Sequence, residues 1–415
     1  MVELIRRNLL PFATEVLDTF PVLVVQGARQ VGKSTFAQLL VEHRDALVFT
    51  LDDEQTLAAA RENPRAFVEQ ASTSTVVIDE VQRYPRLILA IKAAVDRDRR
   101  PGRFVLTGSS NLMRVARDSD SLAGRAVTVG LRGLSQDELA GRQGDFAAAA
   151  RAGIDYPEFV TSWNRSGYVS TLVRGGYPEA RQLSGRLRNT WLDSYLSRIL
   201  ERDAAELRRN TQPARLQAVM RLIAANQAGE LVKARIADQA GIPATSMTGY
   251  LDVLETLFLT ATLPPWTPNL TRREVGRAKA IVADPSLALR LSRLAEQQLL
   301  SVSGSDHLGG MLEGFVVEEL FKQRGWSSEE FELFHFRDRN GLEVDIVIEF
   351  ADGSILGLEV KASQSFRPEH FAGLKKLAEK AGDRFRGGIV LNTSEGGYQF
   401  APGLYGLPVS ALWEL

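Results

Sequence analysis

The stretch Gly27-Ala28-Arg29-Gln30-Val31-Gly32-Lys33-Ser34 satisfies the pattern G-x-x-x-x-G-K-[ST], which is typical of a phosphate-binding loop. The apolar residues 22–25 before it predict a buried parallel strand, and residues 35–42 after it predict a helix with an apolar face. In the order strand, glycine loop and helix, backbone N–H groups and the helix dipole converge on an anion. The sequence therefore predicts a nucleotide-phosphate site; the alternative is a chance match in a glycine turn.

Each part of this loop has an expected task. Gly27 and Gly32 have no Cβ, so backbone amides can close on phosphate oxygens. Lys33 is expected to reach the β- and γ-phosphates, and the Ser34 hydroxyl to ligate Mg²⁺. The predicted cofactor-binding set is Gly27, Ala28, Arg29, Gln30, Val31, Gly32, Lys33, Ser34 and Thr35.

A second stretch, residues 76–80, ends an apolar strand in two carboxylates, which is typical of a Walker B motif. Asp79 is expected to hold Mg²⁺ through a water molecule, and Glu80 to orient and polarise the attacking water. The alternative is an acidic helix start after a strand. Together the two motifs favour nucleotide binding and hydrolysis.

Another strand is predicted at residues 103–111, and it ends in small hydroxylated residues. Strand carboxyl ends line the ligand crevice of a doubly wound sheet, so Thr107 and Ser109 are candidates for contact with the γ-phosphate or the lytic water; a plain turn is the alternative. Arg125 precedes a further predicted strand, where it could reach phosphate, and a surface arginine is the alternative. The alternation of strands and helices predicts an α/β nucleotide-binding domain over residues 1–140.

The composition limits the classes of partner and chemistry. The chain has 415 residues, enough for two or three domains, and a formal net charge of −1, so a nucleic-acid or membrane partner needs a local patch. It contains no cysteine, which excludes disulfides and thiol nucleophiles, and its four histidines show no metal-ligand spacing. No apolar run approaches the roughly 18 residues of a membrane span. We therefore expect a cytoplasmic protein without a membrane segment.

Six short motifs stand in the first third of the chain. They are Gly27 to Ser34, Leu51-Asp52-Asp53, Ile78-Asp79-Glu80-Val81-Gln82, Leu106-Thr107-Gly108-Ser109-Ser110, Ser121-Leu122-Ala123-Gly124-Arg125 and Leu134-Ser135. Together they resemble a widespread prokaryotic group of AAA+-type ATPases whose members carry a C-terminal domain of unknown function. The resemblance implies ATP binding and hydrolysis, with Lys33, Ser34, Asp79 and Glu80 in the roles above. It also implies Arg125 as a γ-phosphate arginine, in its own subunit or from a neighbour in an oligomer.

Residues 141–300 are predicted to be mainly helical, with a connector at 141–158 and a winged helix at about 213–265. Two helices joined by a short glycine turn are typical of DNA-binding modules. The start of the third helix of this module offers only hydroxylated side chains and no Arg or Lys, which favours packing over base reading. The better candidates for phosphate contact form a basic run; the alternative is a solvated loop. That run is Arg272, Arg273, Arg277 and Lys279.

Two apolar stretches, residues 341–348 and 355–361, predict a β-hairpin around Asp352-Gly353. Matching their apolar faces pairs Val344 with Val360, Ile346 with Leu358 and Ile348 with Leu356. Asp345 then falls opposite Glu359, with their Cβ atoms roughly 5 Å apart, and Lys361 lies beside them. A divalent cation between the two carboxylates would offset their repulsion; the alternative is a solvated polar face.

This arrangement resembles the PD-(D/E)XK nuclease-like fold, which we expect over residues 301–415. The resemblance implies Asp345 and Glu359 as ligands of a second metal, Mg²⁺ or Mn²⁺, and Lys361 as the group that activates water or steadies the phosphate. Glu313 or Glu319, on a helix predicted before the hairpin, could supply a further carboxylate.

The leading expectation is Mg²⁺-dependent ATP hydrolysis by an AAA+-type ATPase, coupled through the C-terminal half to a nucleic-acid or protein partner. Two alternatives stay open. One is a DNA or RNA nuclease gated by ATP that uses the C-terminal metal site. The other is a nucleotide switch whose nuclease-like domain only binds a partner.

Overall fold

The computed structural model describes residues 4–71, 73–109, 122–153, 158–208, 211–269, 271, 273, 276–301 and 305–415. Predictions that involve Ser110, Ser121 or Arg272 lie outside these residues. The chain divides into two compact units. The first consists of Met1–Leu134, Tyr177–Glu179 and Val253–Phe258, and the second of Ser135–Gly176, Ala180–Asp252 and Leu259–Leu415.

The helices and strands follow the order that the sequence predicts in outline. The α-helices are α1 Leu10–Thr19, α2 Lys33–Leu40, α3 Glu54–Glu62, α4 Pro64–Val68, α5 Leu87–Arg97, α6 Gln136–Leu139, α7 Phe146–Ala152, α8 Arg165–Arg174, α9 Pro178–Gln182, α10 Gly185–Arg198, α11 Ala204–Leu207, α12 Pro213–Ala225, α13 Lys233–Gln239, α14 Ala244–Thr256, α15 Pro285–Ser292, α16 Glu296–Leu300, α17 Ser305–Gln323, α18 Ala372–Ala381 and α19 Ala411–Glu414. The strands are β1 Val22–Gln26, β2 Ala46–Thr50, β3 Thr75–Asp79, β4 Phe104–Gly108, β5 Ala126–Gly130, β6 Thr260–Leu263, β7 Lys279–Val282, β8 Phe331–Arg337, β9 Glu343–Phe350, β10 Ile355–Val360, β11 Phe385–Asn392, β12 Tyr398–Ala401 and β13 Leu404–Pro408.

A five-stranded parallel sheet in the order β2-β3-β4-β1-β5 forms the centre of the first unit. Strands β1, β3 and β4 are short apolar runs that are buried nearly throughout, as expected for a parallel sheet covered on both faces. Because all five strands run in one direction, their carboxyl ends meet at the same edge. The predicted α/β fold with a P-loop-type sheet is confirmed for this unit.

The second unit contains a six-stranded mixed sheet in the order β12-β13-β11-β10-β9-β8. Strands β8, β9 and β10 form an antiparallel meander, and β10, β11 and β13 run parallel to one another. Helix α18 packs Leu374 and Leu377 into the core of this sheet. Strands β6 and β7 pair separately, as an antiparallel ribbon that follows helices α12 to α14.

The predicted register of the C-terminal hairpin is confirmed where β9 and β10 pair. Leu356 lies opposite Ile348, and Leu358 lies opposite Ile346. The alternation of apolar residues was sufficient here because a shift by one residue would turn the buried face of each strand outward.

The sequence also predicts a first helix that is broken near Pro11 and a long helix from Asn189 to Leu207. These two predictions and the connector at residues 141–158 were wrong. Pro11 does not break the first helix; it lies in the first turn of α1, where a missing N–H costs nothing. Part of the expected connector at residues 141–158 is helix α7, which Asp145 caps at its N-terminus. The long helix expected up to Leu207 is interrupted by a π-helical turn, Ile199–Asp203.

The expected basic surface run is also contradicted where the structure describes it. Arg273 is buried and donates to both carboxylate oxygens of Glu349. Lys279 is buried as well, and Arg277 forms an ion pair with Glu230 at 3.7 Å. Arg273 and Lys279 are therefore committed to carboxylates of the protein itself, whereas the side chain of Arg277 is 68% exposed.

Candidate functional site

The phosphate-binding stretch forms a tight loop between β1 and α2. Gln30 and Gly32 have positive φ angles of 64° and 94°, and this left-handed backbone lets the chain turn into the helix at Lys33. The ammonium of Lys33 is buried inside the curve and donates a hydrogen bond of 2.8 Å to the carbonyl of Ala28. The loop is thus preformed around its lysine.

Gly27 is required for a different reason from the one predicted. A Cβ at this position would lie 2.0 Å from the carbonyl oxygen of Leu131, which follows β5. The absence of a side chain therefore permits close packing between two backbone segments. At Gly32 an added Cβ would only touch Arg7 Nη1, at 4.0 Å, so the positive φ alone favours glycine there.

Arg7 supports the loop from the N-terminal segment, and the sequence patterns gave no indication of this role. Its guanidinium donates to the carbonyl of Val31 at 3.0 Å and to the carbonyl of Arg132 at 2.7 Å. Because Arg7 is buried, these two bonds tie the phosphate-binding loop to the chain that follows β5.

Ser34, Asp79 and Thr107 are brought together at the carboxyl edge of the parallel sheet. The Ser34 hydroxyl lies 3.1 and 3.0 Å from the two carboxylate oxygens of Asp79. The Thr107 hydroxyl donates to the same carboxylate and accepts the backbone N–H of Glu80 at 3.2 Å. The start of α2 and the ends of β3 and β4 therefore converge on the carboxylate of Asp79.

The second carboxylate of the Walker B stretch has its own partners. Glu80 lies in the left-handed region, with φ 57°, where the chain turns away from β3. Its carboxylate accepts from the Ser109 hydroxyl at 3.3 Å and from the side-chain amide of Gln82. Gln82 also donates to Ser109, at 2.8 Å. The sequence indicates Gln82 only as part of a motif, and its position beside Glu80 follows from a short 3₁₀ turn, Val81–Arg83.

Arg125 does not join this group, and the expectation that it reaches phosphate in its own subunit was wrong. It precedes β5, whose first residue, Ala126, pairs with Val22 at the start of β1. The phosphate-binding loop follows the opposite end of β1. Arg125 instead donates to Asp96 at 2.6 Å, which lowers the pKa of that carboxyl. A role toward a neighbouring subunit stays a prediction.

The residues at the first site fit a magnesium-bound nucleotide. A hydroxyl and a carboxylate about one hydrogen bond apart provide the oxygen ligands that Mg²⁺ prefers, and the glycine loop provides backbone amides for phosphate. Ser34 would contribute a direct ligand, and Asp79 would act directly or through water.

A second cluster of charged side chains lies in the second unit, on α17, β9, β10 and β7. It contains three carboxylates, Glu313, Asp345 and Glu359, and two lysines, Lys279 and Lys361. The ammonium of Lys279 lies 2.5 Å from Glu313 and 3.3 Å from Asp345. Lys361 lies 2.5 Å from Glu359. The predicted meeting of Asp345, Glu359 and Lys361 is observed.

Backbone groups complete the cluster. The backbone N–H of Asp345 donates to Glu359 at 3.4 Å, and the N–H of Val360 donates to Asp345 at 2.9 Å. Of the two further carboxylates considered, only Glu313 reaches the cluster. Glu319 bonds Lys322 and the backbone N–H of Gln136.

Burial and mutual repulsion change the proton affinity of this cluster. Burial raises the pKa of Glu359 to about 8, and the negative charge of Asp345 adds to the effect. The pKa of Glu313 is raised well above its ordinary value by the same two causes. Burial alone would lower the pKa of Lys279, but the charges of Glu313 and Asp345 outweigh it and raise that pKa.

The second cluster does not fit a divalent cation as it stands. Among the residues that the structure describes, no group of three or more His, Asp or Glu side chains is placed to hold a metal ion. Lys279 bonds two of the three carboxylates that would be needed as ligands. Lys279 was assigned to a surface run from the sequence; a lone lysine opening the otherwise apolar strand β7 was the signal available.

Helix α14, the third helix of the predicted winged helix, begins with small and hydroxylated side chains and carries no Arg or Lys in its first turn. Thr245 and Thr248 are exposed, and the ammonium of Lys233 on α13 lies 3.4 Å from the Thr248 hydroxyl.

In the described part of the chain, none of the helices combines the length and apolar character that crossing a bilayer requires.

Comparisons with known proteins agree with the first site. Residues 19–140 match the model of an AAA domain, and residues 165–298 and 308–412 match two domains of unknown function, DUF8612 and DUF4143. Uncharacterized proteins of Mycobacterium tuberculosis and Mycobacterium bovis are each 27% identical to this chain over 361 residues, which is 87% of this chain and 74% of theirs.

Two solved structures are similar at low identity. The Walker-type ATPase of Pyrococcus abyssi is 18% identical, covers 70% of this chain and 96% of its own, and has a TM-score of 0.42. AMPPCP-bound DnaA from Aquifex aeolicus is 11% identical, covers 59% and 85%, and has a TM-score of 0.26. TM-scores this low carry no weight in assigning the first domain. That assignment depends on the AAA-domain match and on the phosphate-binding loop and parallel sheet described above. Residues 19–140 of this chain therefore form a domain of the AAA type, which agrees with the phosphate-binding loop and the parallel sheet described above.

Proposed function

We propose that residues 27–35 bind ATP together with Mg²⁺ and that Glu80 directs a water molecule at the γ-phosphate. The observation that carries this proposal is the contact between the Ser34 hydroxyl and both carboxylate oxygens of Asp79, at 3.0 and 3.1 Å. It joins the phosphate-binding loop to the Walker B strand in the geometry that magnesium-assisted phosphoryl transfer uses.

The side chains of this site have separate roles in nucleotide binding and in hydrolysis. Lys33 exchanges its bond to the Ala28 carbonyl for a phosphate oxygen when nucleotide enters. Magnesium, when bound, offsets the charge of the phosphate oxygens. Thr107 fixes the Asp79 carboxylate, and Gln82 and Ser109 fix the carboxylate of Glu80 so that one oxygen can accept a hydrogen bond from water.

Two substitutions test the proposal, each with a separate readout. Lys33→Ala should weaken binding of a fluorescent ATP analogue at least about tenfold, because a phosphate-facing charge is lost. Glu80→Gln should retain binding within a few-fold but lower phosphate release by about 100-fold or more, because the water loses its orienting base. Glu62→Gln, an exposed carboxylate on α3, is the matched control and should change neither. Unchanged phosphate release in both variants would reject the proposal.

We further propose that the nucleotide state is passed to a nucleic-acid or protein partner through the second half of the chain. This proposal includes three domains, over residues 1–140, 141–300 and 301–415. The second domain contains the winged helix at about 213–265. The nuclease alternative is not favoured, because Lys279 bonds two carboxylates of the cluster that would have to hold the metal. Adding single- or double-stranded DNA or RNA and measuring ATP hydrolysis separates the partners. A rise of about threefold or more supports a nucleic-acid partner, and an unchanged rate with every nucleic acid tested would contradict one.

A further inference from the structure

Lys279 is the least expected member of the acidic cluster in the second unit. It stands on β7, outside the β9–β10 hairpin and outside helix α17, and its side chain is only 5% exposed. Its ammonium nonetheless contacts carboxylates from both of those elements, Glu313 at 2.5 Å and Asp345 at 3.3 Å. A side chain with a strongly hydrated head is buried only where such partners compensate for the lost water.

The backbone holds Lys279 in place from both sides. Lys279 pairs with Leu263 on β6 and forms a bridge with Glu230 on its other side. The neighbouring residue, Ala280, exchanges hydrogen bonds with Ala228 and Gly229. The lysine therefore enters the cluster from a fixed strand, unlike a surface side chain that happens to fold inward.

The number and position of charges favour an ammonium over a metal. Three carboxylates face two lysines, and Lys361 is committed to Glu359 in the same way as Lys279 is to Glu313. A divalent cation needs close oxygen ligands at about 2.0–2.1 Å for Mg²⁺ and would meet the positive charge of Lys279 within the same cluster. The two cations compete for the oxygens of Glu313 and Asp345.

We propose that Lys279 is the resident cation of this cluster and that its ammonium excludes a divalent metal from Glu313, Asp345 and Glu359. The cluster then holds the β6–β7 ribbon against the C-terminal sheet through the ion pairs of Lys279. It does not work as a metal-dependent cleavage site while the lysine is in place. This inference does not depend on ATP hydrolysis at the first site.

The proposal is tested on the full chain by measuring the binding of Mn²⁺ without nucleotide. The electron paramagnetic resonance signal of the free ion reports how much Mn²⁺ stays unbound. The unmodified protein and Asp345→Asn should bind the same number of Mn²⁺ ions, because Asp345 holds no metal. Lys279→Met should gain one ion per chain, at least tenfold tighter than any binding at this cluster in the parent. Lys279→Met combined with Asp345→Asn should lose that ion again.

The matched control is Lys322→Met, which removes another buried lysine that bonds a glutamate, Glu319, at 2.6 Å. It should gain no ion, because Glu319 lies outside the cluster. Two results would overturn the proposal. In the first, the parent binds an Mn²⁺ ion that Asp345→Asn loses. In the second, folded Lys279→Met, checked by circular dichroism, gains none. If Lys279→Met does not fold, the comparison of parent and Asp345→Asn decides alone.

Discussion

The hydroxyl of Thr107, on β4, donates a hydrogen bond to the carboxylate of Asp79, at the end of the neighbouring strand β3. The same oxygen accepts the backbone N–H of Glu80 at 3.2 Å. The Thr107 side chain thus positions the carboxylate of Asp79, which is proposed to hold magnesium. It also positions the backbone of Glu80, whose carboxylate is proposed to orient the attacking water.

Thr107→Val should therefore impair hydrolysis more than binding. Removing the hydroxyl leaves the shape of the side chain but frees Asp79 and Glu80, and we expect phosphate release to fall by about 10- to 100-fold, with ATP affinity within a few-fold. Steady-state kinetics and an ATP-binding titration check this. Thr75→Val is the matched control, because its hydroxyl bonds the Gly102 carbonyl at the opposite edge of the sheet. Equal losses in both variants would contradict the assignment.

Gln82→Leu tests the group that holds Glu80. The amide of Gln82 donates to both Glu80 and Ser109, so its loss leaves the Glu80 carboxylate free to rotate. We expect the turnover number to fall by about tenfold with little change in KM, because orientation and not nucleotide binding is affected. Gln55→Leu, an exposed glutamine on α3, should have no effect. A change confined to KM would assign Gln82 to nucleotide contact.

Gly27→Ala should destabilise the protein even without nucleotide. The added Cβ would lie 2.0 Å from the Leu131 carbonyl oxygen, so one backbone segment must move. We expect the free energy of unfolding to fall by at least about 2 kcal/mol, as in other overpacked sites. Urea unfolding followed by circular dichroism measures it. Gly130→Ala, at a position with no atom within 4 Å of an added Cβ, should change stability little; similar losses would show that the contact is unimportant.

Asp137 should make the stability of the second unit depend on pH. Burial, opposed in part by the hydrogen bond from Gln323, raises the pKa of Asp137 to about 7 from an ordinary 3.8. Between those values the folded state holds a proton that the unfolded state has released, so stability falls as the pH rises. Integrated over the whole interval the loss is at most about 4 kcal/mol.

The measurement is urea unfolding of the parent protein and Asp137→Asn at several pH values from 4 to 8. The variant cannot titrate at this position, so the parent should lose stability relative to it as the pH increases. The variant's own loss of the hydrogen bond to Gln323 shifts the curve by a constant amount and does not affect the slope. A constant difference across this range would contradict the raised pKa.

Local and periodic signals were sufficient for much of the architecture. The loop at residues 27–34, the Walker B strand and the register of the β9–β10 hairpin each depend on a pattern within a few residues or on strict alternation. The carboxylate of Asp53 accepts the Thr56 N–H at 2.7 Å and caps α3, which is again a local pattern, an acidic residue immediately before a helix. The composition of helix α7 did not predict it, because a segment rich in Ala, Gly and polar residues is equally typical of a linker.

Contacts between distant parts of the chain could not be predicted in this way. Lys279 and Asp345 are separated by 66 positions, and the apolar residues that follow Lys279 indicate at most that it is buried, not which carboxylates it meets. Arg7 and Val31 meet because the N-terminal segment passes the loop, which depends on the path of the chain. Arg125 is a different case: it precedes β5, so in the parallel sheet that the sequence predicts it falls at the amino edge, away from the phosphate-binding loop, and the expected phosphate contact was inconsistent with that sheet.

The lysine on β7 also affects how the protein can be divided for study. A fragment that begins after residue 300 keeps Glu313, Asp345 and Glu359 but loses the ammonium that neutralises two of them. Such a fragment would carry an excess of buried negative charge, which it could relieve only by taking up protons or cations from the buffer. Metal binding or cleavage seen with that fragment would then be a property created by the cut. The shortest piece that preserves the native balance of charge must include the β6–β7 ribbon.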